Sequence, residues 1–505
     1  MTAIIRHSSF DIRHSKGDSM SAEIETYKPQ HHIRVVTATS LFDGHDAAIN
    51  IMRRILQDTG VEVIHLGHNR SVQEIVDAAI EEDVQGVAVS SYQGGHLEFF
   101  KYLLDLLKER GAPHIKIFGG GGGVIVPEEI QELESYGITK IYSPEDGTKM
   151  GLQGMINHMV QSMDFSTVRD DRFSLDGLSP DNKRMVANLI TAAEQAKVRK
   201  DGHLAKLRSE MAKKIGVRQT PVVGITGTGG AGKSSLTDEV ILRILHDLDD
   251  IHVAIISCDP SRRKTGGALL GDRIRMNAIG NPRLYLRSLA TRQSRTEIPE
   301  VLADAIAAVK AAGFDLIITE TAGIGQGDSS ITNLVDVSIY VMTSEFGAAS
   351  QLEKIDMLDF ADLVVVNKFE KRGSEDAVRD VRKQVQRNRK AFDKAPSDMP
   401  VFGTIASKFN DDGVTALYHA LIDAIHKKTD VRFTPRIPVP PSKTSSSKTI
   451  IIPPERIRYL SEIGDTIRDY HRKTEEQSQK LRDYWHLQET VKRLGGNGLE
   501  GDTPE

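Results

Sequence analysis

Cysteine is all but missing from this sequence. Cys258 is the single thiol in 505 residues, which excludes an intrachain disulfide and fits a reducing, cytoplasmic setting. Lying beside Asp259 at the end of an apolar run, it reads as a packing residue rather than a nucleophile. No apolar run approaches the roughly 18 residues of a membrane-spanning helix, so no membrane partner is expected. An excess of one charge is lacking too. Lysine and arginine number 65 against 70 aspartates and glutamates, a formal net charge of −5, so no basic field favours nucleic acid or a lipid surface. Residues 1–30 are polar and histidine-rich, carry a second methionine at Met20 and hold no apolar or amphipathic stretch, so they read as a disordered or misassigned start rather than a targeting peptide. What is present is ordinary for a globular chain: 39% hydrophobic and 27% charged residues, over a length suited to two or three domains.

The most informative stretch runs from Gly227 and Thr228 through Gly229, Gly230, Ala231 and Gly232 to Lys233, Ser234 and Ser235. It follows the apolar run Val222, Val223, Gly224, Ile225 and opens onto a helix-like segment, which is the context of a P-loop. Glycines let the backbone wrap phosphates with its N–H groups pointing inward, Lys233 places a point charge on the β- and γ-phosphates, and the Ser234 hydroxyl can ligate Mg²⁺. Further along, the apolar run Leu363–Val366 leads into Asn367, Lys368, Phe369 and Glu370. These resemble the guanine-reading N-K-x-D box of GTPases, in which the acidic residue accepts from two guanine donors that adenine cannot offer together. Glu370 replaces the aspartate with a side chain one methylene longer, which leaves the strictness of GTP over ATP open.

Between the two boxes lie groups suited to phosphoryl transfer. The strand-like run Phe314–Thr319 ends in Glu320, Thr321, Ala322 and Gly323, followed by Ile324, Gly325, Gln326, Gly327 and Asp328; the glycine can offer its N–H to the γ-phosphate, while Glu320 and Thr321 sit where Mg²⁺ or its waters would be held. A second strand ends in Cys258 and Asp259, and Gly271, Asp272, Arg273, Ile274 and Arg275 come after it. Carboxylates at strand ends suit a hard cation, and Arg275 suits a phosphate; an ordinary i, i+3 surface pair of Asp272 with Arg275 is the equal alternative. The run Gly403–Lys408 resembles the last GTPase box, whose backbone touches guanine. Together these motifs resemble the metallochaperone-type GTPases that service cobalamin-dependent acyl-CoA mutases. The resemblance implies Mg²⁺-assisted GTP hydrolysis with Lys233 and Glu320 catalytic. It also implies Ser234, Asp259, Asp272, Glu320 and Thr321 at the metal, and GTP held by Gly229 to Ser235, Arg275 and Asn367 to Glu370.

In the N-terminal third a strand-like run, Ile33–Thr37, leads to Asp43, Gly44, His45, Asp46, Ala47 and Ala48 ahead of a helix. A loop between strand and helix in a doubly wound sheet is where ligands bind. An imidazole there can hold cobalt while an aspartate two residues earlier bonds its other ring nitrogen and raises its basicity. Two more strands end in Ser90, Ser91, Tyr92 and in Gly119 to Gly123, small residues able to line a slot. The trio resembles the cobalamin-binding domain of base-off/His-on mutases, with Ala48 in place of a glycine and Tyr92 in place of a leucine. That implies His45 as the axial cobalt ligand, Asp43 behind it, and Ser90, Gly119 and Gly120 around the cofactor's nucleotide tail.

A cobalamin domain followed by a mutase-type GTPase resembles the fused isobutyryl-CoA mutases. The resemblance implies adenosylcobalamin, Mg²⁺ and GTP, a TIM-barrel substrate domain as partner, in cis or as a separate subunit, and a homodimer when complete. Two other readings stay open: a stand-alone cobalamin-carrying GTPase chaperone, and a P-loop ATPase or kinase with an unrelated flavodoxin-like domain. The expected fold is α/β throughout: residues 1–30 disordered or misassigned, 31–155 a flavodoxin-like cobalamin-binding domain, 156–180 a linker, 181–430 the P-loop GTPase with a mainly parallel sheet. Residues 431–505 are a flexible Pro/Ser-rich tether, then amphipathic helices carrying Ile457, Leu460, Ile463, Ile467, Tyr470, Leu481 and Trp485, read as a docking surface for the mutase domain.

Overall fold

The computed structural model describes residues 24–168, 174–199, 202–262, 264–292, 298–323, 329–346, 352–446 and 459–494. β1 (Arg34–Ser40) is buried along its whole length, as the middle strand of a parallel sheet must be. There follow α1 (Ala47–Asp58), β2 (Glu62–Arg70), α2 (Val72–Glu81), β3 (Gly86–Ser90), α3 (His96–Glu109), β4 (Lys116–Gly120), α4 (Pro127–Tyr136), β5 (Lys140–Tyr142) and α5 (Pro144–Met163). Local chemistry starts the helices: Ser71 and Glu74 form a capping box on α2, and Ser143, Pro144 and Asp146 start α5. The strands pair in parallel in the order β5-β4-β3-β1-β2, so the chain reverses direction across the sheet between β1 and β3. The crevice at the carboxyl ends of those two strands is the ligand position of this topology.

α6 (Lys183–Arg199) and α7 (His203–Ile215) precede a second parallel sheet. From there the chain runs through β6 (Val222–Gly227), α8 (Lys233–Asp247), β7 (Val253–Asp259), β8 (Ala268–Leu270), β9 (Leu284–Ala290), α9 (Leu302–Ala312), β10 (Leu316–Glu320), β11 (Val337–Thr343), β12 (Leu363–Asn367) and β13 (Val401–Thr404). Seven strands lie in the order β13-β12-β11-β6-β10-β7-β9, with β6 central between β11 and β10. Ile225, Val240, Ile255, Leu286, Ile318 and Val365 join one core under α8 and the helix Asp412–Lys428, and Val222, Ile256, Tyr285 and Ile317 join another under α6, α7 and α9. Because all strands are parallel, the ends of β6, β7, β10, β12 and β13 line one rim.

The structure departs from the sequence reading in four places. β8 is absent from the second sheet: Ala268, Leu269 and Leu270 pair with Glu62, Val63 and Ile64 at the edge of the first, closing a β2 edge that would otherwise be bare. The stretch 181–430 is therefore interleaved with 31–155. α5 continues to Met163, beyond the expected boundary at 155, because Ile156, Met159, Val160 and Met163 bury against the first sheet. Within 1–30, residues 24–30 are mostly exposed but tied down, with the Tyr27 hydroxyl and the Gln30 N–H each donating to Asp164 at 2.8 Å, while residues 1–23 fall outside the described part. The segment before Ser446 is pinned, since Gly403 N–H donates to Lys443 O at 3.0 Å and Ser445 N–H to Gly403 O at 2.8 Å.

Residues 446–505 form a separate unit. The helices expected there are one uninterrupted helix of 35 residues, Tyr459–Arg493. No proline breaks it, and Arg472 lies near Asp469 and Glu476 one turn away on either side. Ile457 lies outside the described residues.

Candidate functional site

The loop after β1 carries Asp43 and His45. Asp43 is buried, and its Oδ1 accepts from His45 Nδ1 at 2.8 Å and from the His45 backbone N–H at 2.9 Å, while Oδ2 accepts from Tyr92 N–H at 2.5 Å. Burial raises the carboxyl, but those donors outweigh it and hold Asp43 below its ordinary range. An acceptor-only carboxylate on Nδ1 makes that nitrogen the protonated one and leaves Nε2 with its lone pair, on a side chain 76% exposed. The ring of Tyr92 stands 5.5 Å from the imidazole.

Beneath the loop opens a cavity of about 330 Å³ lined by Ala48, Ile49, Ser90, Tyr92, Gly119 and Gly120 among others. All three small residues expected around the cofactor tail therefore meet in one place, and so do the two departures from the family pattern. A Cβ on Gly119 would come within 2.5 Å of Phe100 and 2.6 Å of Ile141, so any larger residue would have to displace those two core side chains. The Ser90 hydroxyl is buried without a hydrogen-bond partner, a donor and acceptor facing a mostly apolar slot. Cavity, orphaned hydroxyl and open imidazole nitrogen fit a corrinoid with a nucleotide tail.

At the nucleotide rim Gly232 takes a left-handed conformation (φ 88°) ahead of α8, and a Cβ there would meet the Asn367 amide at 2.5 Å. Asn367 ties the boxes together. Its Nδ2 donates to Ala231 O at 2.9 Å, and its Oδ1 accepts from Thr404 Oγ1 at 3.0 Å and from Ala406 N–H at 3.2 Å. Lys368 Nζ donates to Gly230 O at 2.8 Å, and Phe369 lies under Gly403. Glu370 is exposed at the rim. Lys233 is buried, its Nζ donating to Gly227 O at 3.2 Å.

Ser234 Oγ joins the carboxylates, donating to Glu320 Oε1 at 2.8 Å or Asp272 Oδ1 at 3.1 Å. Burial first and the Asp272 charge second push the Glu320 carboxyl up to about 7. The same two causes, with Glu320 itself, raise Asp259, whose Oδ2 is buried and unpartnered. Among the described residues no three His, Cys, Asp or Glu side chains converge closely enough to hold a metal unaided. Mg²⁺ does not need them, since it keeps waters and takes phosphate oxygens with one or two protein groups. Crowded carboxyls with raised proton affinity beside a serine hydroxyl fit a divalent cation. Asp272 turns inward, also bonded by Ser257 Oγ, while Arg275 is exposed on the same turn, so the two are not a surface pair. Thr321 Oγ1 donates to Thr226 Oγ1 at 2.9 Å. Residues Ile324 to Asp328 lie outside the described part.

Sequence reasoning missed Ser257 and Thr237, whose hydroxyl bonds Glu320 Oε2 at 3.2 Å. Thr237 could have been found as the residue one helical turn beyond Ser234; nothing in the sequence marks Ser257. Cys258 is buried and burial raises its thiol, as a packing role requires.

Fold and sites define a cobalamin-binding module joined to a P-loop GTPase. Residues 33–148 match the B12 binding domain family, and residues 186–432 match the family of the methylmalonyl Co-A mutase-associated GTPase MeaB. The first match sets aside an unrelated flavodoxin-like domain. Over 482 residues the chain is 58% identical to the fused isobutyryl-CoA mutase of Geobacillus kaustophilus, covering 94% of this chain and 44% of that protein. It is 58% identical over 473 residues to the fused isobutyryl-CoA mutase of Cupriavidus metallidurans, covering 94% of this chain and 43% of that one. The chain is thus similar over nearly its whole length to fused isobutyryl-CoA mutases, and it spans a little under half the length of these relatives. No helix among the described residues is long and apolar enough to cross a membrane.

Proposed function

We propose that this chain is the cofactor-handling part of an adenosylcobalamin-dependent acyl-CoA mutase that interconverts isobutyryl-CoA and n-butyryl-CoA, with GTP hydrolysis gating the loading and protection of the cofactor. The observation that carries the reading is the Asp43–His45 pair, with a free Nε2 over a cavity holding an unpaired Ser90 hydroxyl, in one compact unit with a complete P-loop. His45 would hold the cobalt, Asp43 would fix the imidazole's tautomer, and Ser90, Gly119 and Gly120 would receive the tail. Adenosylcobalamin, when bound, supplies the radical for the rearrangement. The acyl-CoA is held by a mutase substrate domain, in cis or as a separate subunit, and the complete protein is a cytoplasmic homodimer.

At the other site the P-loop N–H groups and Lys233 stabilise charge on the transferring phosphoryl group, which is where most of the catalysis of phosphoryl transfer resides. Ser234, with Asp259, Asp272 and Glu320 directly or through water, would hold Mg²⁺, which would neutralise phosphate charge; Thr321 would complete that edge. Arg275 meets phosphate and Glu370 reads guanine. Titrating the chain with adenosylcobalamin tests the reading: wild type should show the base-off/His-on absorbance spectrum and His45→Ala should not. An unchanged spectrum in that variant would reject the ligand role.

A further inference from the structure

Asp272, a carboxylate of the cation site, is followed directly by Arg273, and the two side chains serve opposite halves of the molecule. Asp272 faces Ser234 and Ser257. Arg273 is 4% exposed and enters a socket made largely by the cobalamin-binding half. Its Nε donates to Glu82 Oε1 at 2.8 Å, its Nη2 to Glu81 Oε2 at 2.8 Å, and Nη2 also reaches the Leu286 carbonyl. Glu82 is itself fixed by Arg34 Nη2 at 2.5 Å and by the Ser288 backbone N–H at 3.1 Å. Three and two residues upstream of Asp272, Leu269 and Leu270 are strand partners of Val63 and Ile64. Downstream, the N–H groups of Asn277 and Ala278 donate to Asp238 of α8 at 3.0 and 2.9 Å.

The turn Asp272–Arg275 is thus a short 3-10 segment held from outside on both flanks. Asp272 is bonded by Ser234 and Ser257, but the turn is only four residues long and two of them, Ile274 and Arg275, are exposed; a metal site needs its groups placed to within about 0.5 Å. We propose that Arg273 is a positioning residue for the cation site: the Glu81–Glu82 pair of α2 and its end, belonging to the cobalamin-binding half, sets the place of Asp272 through it. The inference rests on the Mg²⁺ reading of Ser234 and Asp272 given above. Buried arginine–carboxylate pairs also occur as plain structural glue. The same seam supplies that control, for Arg292 pairs with Glu62 at 2.7 Å and Glu194 at 2.8 Å and is not next in the chain to a cation ligand, its nearest link being the Thr291 N–H on the Asp259 backbone carbonyl at 2.9 Å.

The test measures the affinity of the full chain for a non-hydrolysable fluorescent GTP analogue as Mg²⁺ is titrated, and in EDTA. Arg273→Met and Glu81→Gln should raise the Mg²⁺ concentration for half-maximal tightening by about tenfold or more, the usual cost of disturbing a group behind a metal ligand, with the affinity in EDTA unchanged. Arg292→Met should lower the melting temperature and leave the Mg²⁺ midpoint at the wild-type value. Equal midpoints in all variants would overturn the proposal. Equal shifts in the Arg292 and Arg273 variants would overturn it too, by making the effect one of general loosening. Should Arg273→Met not fold, Glu81→Gln decides alone, since it keeps an acceptor at the same place. A wild-type chain whose nucleotide affinity ignores Mg²⁺ would instead remove the cation reading itself.

Discussion

The cobalamin and nucleotide sites share a plan, loops at the carboxyl ends of parallel strands, but they are prepared to different degrees. At the nucleotide site Lys233, Ser234 and Glu320 are 8%, 7% and 3% exposed, and the three boxes are bonded to one another through Asn367. At the cobalamin-binding module the His45 imidazole is 76% exposed and the cavity lined by Ala48, Ser90 and Tyr92 offers few polar groups. The difference follows from what each must meet. A transferring phosphoryl group concentrates charge, and donors that had to reorganise around it would forfeit most of their stabilisation. On the proposed reading, a large cofactor with a bulky tail would be held chiefly by shape and by one bond from His45, so a mostly apolar cavity would serve it better than a polar network.

The largest effect should separate the sites completely. Lys233→Ala should lower GTP turnover about a hundredfold or more, because a buried charge aimed at the transition state is removed, while the cobalamin spectrum stays as in wild type. Turnover near wild type would dissolve the contrast. The reciprocal variant, His45→Ala, should lose the His-on spectrum and most cobalamin affinity with GTP turnover intact. Asp43→Asn should cost less, about 10–100-fold in affinity, as the imidazole loses its fixed tautomer; calorimetric titration reads both.

Guanine selection should be softer than the phosphate grip. Glu370 stands exposed at the rim, so Glu370→Ala should weaken GTP about tenfold, the low end for a hydrogen bond to a charged group, and leave ATP unchanged. Equal losses for both nucleotides would make Asn367 to Glu370 a structural turn. The smallest effect concerns acid. Burial, then the Arg53 charge, hold the His65 imidazole down at about 4 against an ordinary 6.5. A depressed folded value means the stability it contributes is complete above about pH 6.5 and is lost as pH falls through about 4. His65→Gln should therefore flatten the acid loss of stability in that window, followed by thermal unfolding at stepped pH, and a curve parallel to wild type would show that His65 does not drive it.

The motifs were legible because each is a local device. Gly232 next to Lys233, Asn367 at a strand end and Asp43 two residues before His45 act through backbone conformation and nearest neighbours, which the sequence spells out directly. Parallel α/β architecture was legible for the same reason, from buried runs such as Leu363–Val366 alternating with amphipathic helices. What needed the tertiary structure was every relation between distant segments. Nothing local marks Ala268–Leu270 as a strand of the other half's sheet, or Ser257 as a partner of Asp272, because pairing depends on which edge is left bare and which strands the fold brings together. Nor does any spacing reveal that Arg273 meets Glu81 and Glu82, some 190 residues away. The sequence by itself determined which residues gather at the ends of the two sets of parallel strands; that they share one continuous framework was decided by burial, which obliges charges and strand edges taken out of water to find partners wherever the fold supplies them.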